Sequence, residues 1–213
     1  MENIVTENKN NKIKESHKTL AFFAILSFMC FGTIAVMVSH GVFSLDISAE
    51  IFALNFRSPF LISLMQAASN IMHPLMLLVY CVFICGALIS KERMHDCFVF
   101  VYAIFFGLVS FSLLKYFMEI SRPLVRIVDA TGYSFPSAHT VMATIFFLLT
   151  AYFFKGYIKN HIYKVIIFIF FVFLIFLVAI SRVYLGAHFA SDVFGGFFLG
   201  LGIVFLVILF SKI

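Results

Sequence analysis

Charged residues are scarce in this chain of 213 residues, where Asp, Glu, Lys and Arg make up 12% of the sequence and hydrophobic residues 63%. The mean hydropathy is +1.09. A soluble domain is only about half apolar, so this composition indicates that lipid is the main solvent. The net charge of +5 does not indicate a nucleic-acid partner, because the lysines lie mostly in short stretches between apolar runs. That pattern is typical of the cytoplasmic anchoring of a membrane protein.

The sequence also lacks a cluster of soft metal ligands. Its four cysteines, Cys30, Cys81, Cys85 and Cys97, all lie within or beside apolar segments. Cys81 and Cys85 are one helical turn apart, but no further ligands accompany them, which argues against a structural zinc site. Internal repeats and low-complexity tracts are absent, and the length suits one compact helical bundle without a second domain.

Six apolar stretches are long enough, with their flanks, to cross a bilayer. They are Leu20–Val42, Pro74–Ile89, Phe98–Met118, Val141–Phe154, Val165–Ile180 and Val193–Phe210. We therefore predict an all-α integral membrane protein, with a bundle of six transmembrane helices formed by residues 20–213. Residues 1–19 form a polar cytoplasmic N-terminal segment in this prediction. The first apolar run is too long for a signal peptide and shows no convincing cleavage site, so we expect an uncleaved helix.

The distribution of Lys and Arg predicts the orientation of the bundle. One set of alternating loops carries most of the basic residues, namely Lys9 to Lys18, Lys91, Arg93, Lys155, Lys159, Lys164 and Lys212. The positive-inside rule places this set, and with it both termini, in the cytoplasm. The chemically distinctive residues described below then lie on the extracytoplasmic side.

A short helix is predicted between the first two spans. Ser44-Leu45-Asp46 is a suitable start, Ile47 and Ile51 share one face, and Arg57-Ser58-Pro59 is a suitable end. The segment is either an interfacial helix or a lid, and the sequence leaves both readings open.

Three blocks of polar residues gather at the extracytoplasmic ends of the apolar runs. They are Lys115 with Arg122-Pro123, Pro136-Ser137-Ala138-His139, and Ser181-Arg182 with His188 and Asp192. A charge near a bilayer is costly, so such residues are functional candidates. Cations bind a phosphate, one histidine can attack it, and another can protonate its leaving group. The blocks therefore predict a phosphoryl-transfer site.

Each block contributes a distinct property. The planar guanidinium of Arg122 suits bidentate contact with phosphate, and Lys115 adds a compact charge. Pro136 is favoured in a first helical turn, whose free backbone N–H groups bind anions. His188 and Asp192 are four residues apart, so on a helix they share one face, and the carboxylate can fix the imidazole tautomer. This pair could also bind a metal, but no third ligand is evident and the cations would repel the ion.

Together the three blocks resemble the signature of the type-2 phosphatidic acid phosphatase family, which is related to the vanadium haloperoxidases. The signature covers Lys115 to Asp192, and the six-span hydropathy extends the resemblance to most of the chain. One position departs from it, because Ala138 stands where the family usually has glycine. We expect alanine to keep the backbone N–H donor and to make the pocket tighter.

The resemblance implies a phosphatase core formed by the last four spans and a role for each matching residue. His188 is the expected nucleophile, which forms a phosphohistidine, Asp192 orients it, and His139 is the general acid. The expected phosphate-binding residues are Lys115, Arg122, Ser137, Ala138 and Arg182. The resemblance implies neither a metal nor another cofactor.

The predicted function is hydrolysis of lipid phosphomonoesters or diphosphates on the extracytoplasmic face of a bacterial inner membrane. Phosphatidylglycerophosphate, phosphatidate, undecaprenyl diphosphate and lipid A phosphate all fit. The expected partners are this lipid substrate and the bilayer, and the oligomeric state stays open. One alternative is a vanadate-dependent oxidase, but those relatives are soluble. The other is a non-catalytic protein that binds or translocates lipids on the same scaffold, although such proteins often lose a catalytic histidine.

Overall fold

The computed structural model describes the backbone of residues 2–41 and 43–211 and the side chains of residues 14–41 and 43–211. Val42, Lys212 and the side chains of Lys9 and Lys12, which entered the predictions above, lie outside this described part. All regular secondary structure within it is helical, as predicted. Its helices are α1 (Glu2–Ser39), α2 (Ser44–Asn55), α3 (Pro59–Asn70), α4 (Pro74–Ile89), α5 (Met94–Met118), α6 (Ala138–Phe154), α7 (His161–Tyr184) and α8 (Ala190–Phe210).

Most of the helices begin earlier than the apolar runs that predict them. Helices α5 to α8 each start three or four residues before the corresponding run. A polar residue that accepts one of the free N–H groups of the first turn starts a helix before its apolar run. Asn160 is an example, because its side chain accepts the backbone N–H of Ile162 at 2.8 Å just before α7.

Within the described residues, four helices are long and apolar enough to cross a membrane by themselves. They are Lys14–Ser39 within α1, and α5, α7 and α8. Only 22% of the most apolar window of α5 and of α7 is buried, so most of their Phe, Ile and Leu side chains face outward, towards lipid. Helices α3 and α4 count as a fifth span if taken together, with a bend of 45° between them.

The second predicted span differs from the observed structure on its N-terminal side. We expected it to extend into its flank, but the chain forms the separate helix α3 and then bends at His73-Pro74. Proline lacks a backbone N–H donor and clashes with the preceding turn, which favours a break at this point. Helix α6 has 17 residues and is shorter than the other candidate spans, so the count of six spans stays a prediction.

Helix α6 occupies the centre of the bundle, where it packs against α5, α7 and α8. Its close approach to α8 depends on two glycines. A Cβ atom on Gly196 would lie 2.8 Å from the carbonyl oxygen of Ser137, and one on Gly200 would lie 2.8 Å from the Cβ of Thr144. Glycine therefore lets the two helices approach more closely than any larger residue would allow.

Helix α1 runs antiparallel to α8 along the outside of this core. Phe23 stacks on Phe205 with ring centroids 5.6 Å apart, and Phe31 stacks on Phe135, beside the start of α6, at 5.7 Å. The N-terminal part of α1 consequently lies at the same end of the bundle as the C-terminal end of α8.

The loops α4–α5 and α6–α7 also meet at this end. Arg93 donates from Nη1 to the carbonyl oxygen of Phe153 at 2.6 Å, and the ammonium of Lys91 lies 6.0 Å from the ring centroid of Tyr157. The basic loops therefore lie at one end of the bundle. The opposite end is formed by the last residues of α5 and α7 and the first residues of α6 and α8.

Candidate active site

Four helix ends and the loop of residues 119–137 form the candidate site. The backbone N–H of Ser134 donates to the carbonyl oxygen of Ile120 at 2.7 Å, which closes the loop on itself. The N–H of Ser137 donates to the carbonyl oxygen of Asp192 at 3.0 Å, which joins the start of α6 to the start of α8. These bonds bring the three sequence blocks together at one end of the bundle.

His188 lies in the turn between α7 and α8 and is 3% exposed. It precedes the helix, because Phe189 is the N-cap of α8, so our expectation that His188 and Asp192 share a helix face is wrong. Their contact is nevertheless made, with His188 Nδ1 3.3 Å from Asp192 Oδ2. The same Oδ2 accepts the backbone N–H of Phe189 at 2.8 Å, so the carboxylate reaches back over the turn as in a capping box.

Ser134 completes this buried group and was not singled out by the sequence. Its hydroxyl donates to Asp192 Oδ2 and lies 3.3 Å from His188 Nδ1. Ser134, His188 and Asp192 are all buried. One carboxylate oxygen therefore gathers a hydroxyl, an imidazole nitrogen and a backbone amide, which fixes the orientation of the imidazole ring.

The turn that carries His188 needs glycine at position 186. Gly186 has a φ of +70°, a left-handed conformation that residues with a Cβ atom rarely adopt. A Cβ atom there would also clash with the carbonyl oxygen of Val125. Close by, the backbone N–H of Ile127 donates to the carbonyl oxygen of Leu185 at 2.9 Å. The loop 119–137 thus packs directly against the turn that contains His188.

Arg122 lies beside the His188 nitrogen that Asp192 does not contact. Its Nη1 is 3.2 Å from His188 Nε2 and donates to the carbonyl oxygen of Ala187 at 2.6 Å. Its Nε donates to the carbonyl oxygen of Gly132 at 2.9 Å. The guanidinium is therefore held next to the position where a phosphate on Nε2 would sit.

Lys115 lies in the last turn of α5 and reaches the same loop. Its ammonium donates to the carbonyl oxygens of Tyr133 at 2.6 Å and of Ser134 at 2.8 Å. The positive charge consequently lies directly behind Ser134. Lys115 also fixes the loop segment from which the Ser134 hydroxyl reaches Asp192.

Arg182, the third cation, is 8% exposed. Its Nη1 donates to the hydroxyl of Ser69, at the end of α3, a contact that no sequence pattern predicts. Among the described residues its buried Nε has no hydrogen-bond partner, and neither has Asp192 Oδ1. A buried donor without a partner is costly, so this N–H is well suited to bind an anion.

The start of α6 differs slightly from its predicted position. Ser137 is the N-cap and Ala138 the first helical residue, so Pro136 precedes the helix and does not lie in its first turn as expected. The Ser137 side chain makes no capping hydrogen bond to the helix backbone, although its Oγ accepts the Thr140 hydroxyl at 3.0 Å. The first N–H groups of α6 thus remain available to an anion, as the predicted anion site requires.

His139 is the second residue of α6, and within the described structure no hydrogen bond joins its ring to that of His188. Ala138 and His139 line a cavity of about 330 Å³ between α4, α5 and α6. The rest of its wall is apolar, with Met72, Pro74, Leu77, Leu78, Cys81, Ile104, Leu108, Phe111 and Met142. The polar site therefore opens into an apolar space at His139.

The surroundings of His188 favour its neutral form. Burial, and after it the positive charges of Lys115, Arg122 and Arg182, hold the pKa of His188 well below its ordinary value of 6.5. A neutral imidazole whose Nδ1 contacts a carboxylate keeps a lone pair on Nε2. This is the protonation state that a nucleophile requires.

No group of three or more His, Cys, Asp or Glu within the described residues is arranged to hold a metal ion. The charge at the site comes instead from Lys115, Arg122 and Arg182. Their placement allows the site to bind a phosphate through the side chains of the protein itself.

Comparison with known proteins gives consistent matches. The sequence profile of the PAP2 superfamily matches residues 96–212. Phosphatidylglycerophosphatase B of Bacillus subtilis (strain 168) is 30% identical over 190 residues, which cover 87% of this chain and 89% of that protein. A crystal structure described as the first transmembrane PAP2 type phosphatidylglycerolphosphate phosphatase from Bacillus subtilis matches with a TM-score of 0.84 and 29% identity, over 90% of this chain and 96% of that chain. Aquifex aeolicus LpxE matches with a TM-score of 0.60 and 25% identity, over 77% and 96%.

Proposed function

Because the chain belongs to the PAP2 superfamily, we propose that it is a membrane lipid phosphatase which hydrolyses lipid phosphomonoesters or diphosphates. Membership confirms the resemblance inferred from the sequence, and the related phosphatases agree with the prediction of an enzyme acting on phosphoric esters. Phosphatidylglycerophosphate is our first candidate substrate, because the matching Bacillus subtilis phosphatase sequence and structure are named for it. Phosphatidate, undecaprenyl diphosphate and lipid A phosphate are the further candidates.

The geometry around His188 carries this proposal. One ring nitrogen is 3.3 Å from Asp192 Oδ2, and the other is 3.2 Å from a guanidinium nitrogen of Arg122. A carboxylate behind the ring and a cation in front of it are what a phosphate-directed nucleophile needs. A histidine with only a structural role does not need a cation beside its Nε2 atom.

The first chemical step forms a phosphohistidine. The lone pair of His188 Nε2 attacks phosphorus, the bond from phosphorus to the lipid oxygen breaks, and His139 gives its proton to that leaving oxygen. Asp192 balances the positive charge that develops on the imidazole. Lys115, Arg122, Arg182, the Ser137 hydroxyl and the Ala138 N–H stabilise the charge on the phosphoryl oxygens.

The second step regenerates the enzyme. A water molecule gives a proton to His139 and attacks phosphorus, the bond between phosphorus and Nε2 breaks, and inorganic phosphate leaves with neutral His188 restored. With a diphosphate substrate the leaving group of the first step is a lipid phosphate, and the remaining chemistry is the same.

The cavity beside His139 supports a lipid as the substrate. Because its walls are apolar and come from three helices, the first part of an acyl or prenyl chain can lie there while the phosphate contacts the cations. The remainder of the chain stays in the bilayer. Little new apolar surface then needs to be buried on binding, and a water-soluble ester gains nothing from this wall.

The separation of the two ends of the bundle supports our proposed topology. The basic loops α4–α5 and α6–α7 lie at one end and the site at the other. We propose six spans, in which the α3–α4 pair and α6 each cross once, with both termini in the cytoplasm and the site on the extracytoplasmic face. The apolar helices and the similarity to phosphatidylglycerophosphatase B indicate a multi-pass protein of a bacterial inner membrane.

Phosphate release by the purified protein in detergent micelles tests the function. His188→Ala should abolish turnover, and His139→Ala should lower it about 10²–10⁴-fold, as expected for a general acid. His161→Ala, an exposed histidine at the opposite end of the bundle, is the matched control and should behave as the wild type. Normal turnover in His188→Ala would rule out the proposed nucleophile.

The same assay tests the substrate class. Long-chain lipid phosphates should show much higher kcat/KM than glycerol phosphate and p-nitrophenyl phosphate at matched concentrations. Equal efficiency on the soluble esters would show that the apolar cavity makes no contribution to substrate binding.

A further inference from the structure

Helix α2 holds a buried carboxyl group against the start of α8. Asp46 is 2% exposed, and its Oδ1 accepts the backbone N–H of Ser191 at 2.8 Å. Its Oδ2 accepts the Ser191 hydroxyl, also at 2.8 Å. Ser191 is the second residue of α8, so its N–H has no acceptor within the helix. Asp46 supplies that acceptor from a segment 145 residues away.

The other end of α2 contacts the end of α7. Ala53 packs against Tyr184 and Leu185, and the Tyr184 hydroxyl donates to the carbonyl oxygen of Phe56, the C-cap of α2, at 2.9 Å. Helix α2 therefore contacts the chain immediately before and immediately after residues 186–190. His188 lies within this bracketed turn.

We propose that α2 braces the turn that carries the nucleophile, and that Asp46 is a positioning residue for the reaction. This inference rests on the proposed role of His188. It also decides between the two readings of the 44–57 segment, because a lid has to separate from the site during turnover, whereas both ends of α2 are fixed to it.

The effect of the brace passes through one peptide bond. Asp192 follows Ser191 directly, so a displacement of Ser191 moves the carboxylate whose Oδ2 lies 3.3 Å from His188 Nδ1. Lys115 lies on another element, and Arg122 keeps its hydrogen bonds to the carbonyl oxygens of Gly132 and Thr131, so both cations stay in place. Loss of the brace should therefore lower kcat and leave KM within about twofold, because a small misplacement of reacting groups can cost up to about 10²-fold in rate.

A double-mutant cycle tests the contact. Asp46→Ala should lower kcat at least about tenfold, and Ser191→Ala by a smaller factor, since it removes one of the two bonds. The double variant should match Asp46→Ala, because coupled residues are not additive. Independent losses that multiply in the double variant would overturn the proposal. Glu50→Ala, which removes a carboxyl group one turn further along α2, is the matched control and should leave kcat unchanged.

Hydrogen exchange of the backbone provides a readout independent of activity. Exchange in a peptide covering residues 185–192 should be faster in Asp46→Ala and Ser191→Ala than in the wild type and in Glu50→Ala. Unchanged exchange would overturn the brace, and faster exchange with an unchanged kcat would overturn the positioning role. A wild type that is inactive on every lipid phosphate would contradict the proposed function instead, and the exchange measurement would still decide whether α2 braces the turn.

A milder variant covers the case in which Asp46→Ala does not fold. Tyr184→Phe removes only the hydroxyl that donates to Phe56 and keeps the buried ring. It should increase exchange in residues 185–192 and lower kcat with little change in KM. The brace would be refuted if folded Tyr184→Phe and Ser191→Ala both showed wild-type kcat and wild-type hydrogen exchange in residues 185–192.

Discussion

Replacing Ser134 by alanine should impair catalysis without weakening substrate binding. Asp192 Oδ2 contacts three groups: the Ser134 hydroxyl, the backbone N–H of Phe189 at 2.8 Å and His188 Nδ1 at 3.3 Å. Because Oδ1 has no partner among the described residues, only these contacts orient the carboxylate. Without the hydroxyl, the carboxylate can rotate away from the imidazole.

The magnitude follows from the type of bond that is lost. A hydrogen bond to a charged group contributes about 1.5–3 kcal/mol. The bond from Phe189 survives in Ser134→Ala, so the lower part of this range applies, about 1.5–2 kcal/mol. Each 1.36 kcal/mol is a factor of ten in rate, which gives a decrease in kcat of about 10–30-fold. KM should change by less than about twofold, because Lys115 contacts the Ser134 carbonyl oxygen, which alanine retains.

Steady-state kinetics on a lipid phosphate in micelles measures both constants. Ser27→Ala is the matched control, because Ser27 is also buried and its hydroxyl donates only to the Phe23 carbonyl oxygen at 2.7 Å within α1. It should leave both constants unchanged. An unchanged kcat in Ser134→Ala, or a rise in KM that accounts for the whole loss, would refute the assigned role of the Ser134 hydroxyl.

Further predictions concern pH, metal ions and topology. Since the folded protein lowers the pKa of His188, the imidazole stays neutral as the pH falls through 6.5. The acid limb of kcat/KM that comes from the enzyme should therefore lie below that pH. A limb centred at or above pH 6.5 that disappears with a substrate of lower phosphate pKa belongs to the substrate and agrees with the lowered pKa of His188. A limb there that persists with such a substrate would contradict the lowered pKa. Chelators should leave turnover unchanged, and a loss restored by a divalent ion would contradict a site that relies on its own cations. A reporter fused after Lys212 should be active in the cytoplasm and one inserted near Asp129 outside, and the reverse pattern would overturn the proposed orientation.

Much of the fold could be predicted because lipid-facing helices have long apolar runs. The runs located α4 to α8 within a few residues, and α4 at its observed bounds. Helix α3 was missed as a separate element, because Ser69, Asn70 and His73 interrupt the apolar pattern before α4. Hydropathy alone cannot distinguish such a bent pair from one longer span with a polar flank.

The candidate site was visible in the sequence for the same physical reason. Ionisable residues are rare in this chain, so those at helix ends stand out, and the structure brings Lys115, Arg122, His188 and Asp192 together in one group. Their roles in catalysis stay predictions. Ser134, Ser69 and Asp46 were missed as partners of these residues. Serine is ordinary in a membrane helix or loop, and the burial of Asp46 depends on long-range packing that has no local pattern.

The signature residues can be located from the sequence, whereas the contacts that set the path of the loop 119–137 cannot. The groups proposed to bind or attack phosphate lie at or near helix ends, which hydropathy and charge locate well. The path of residues 119–137 is set by contacts with backbone carbonyls, such as those from Arg122 to Gly132 and from Lys115 to Tyr133. Carbonyl groups occur at every residue, so their use leaves no trace in the sequence. In the proposed function, the choice among lipid headgroups depends on groups beside the phosphate, and this loop is the candidate for supplying them. The sequence signature accordingly predicts a phosphate site, while the headgroup preference has to be measured.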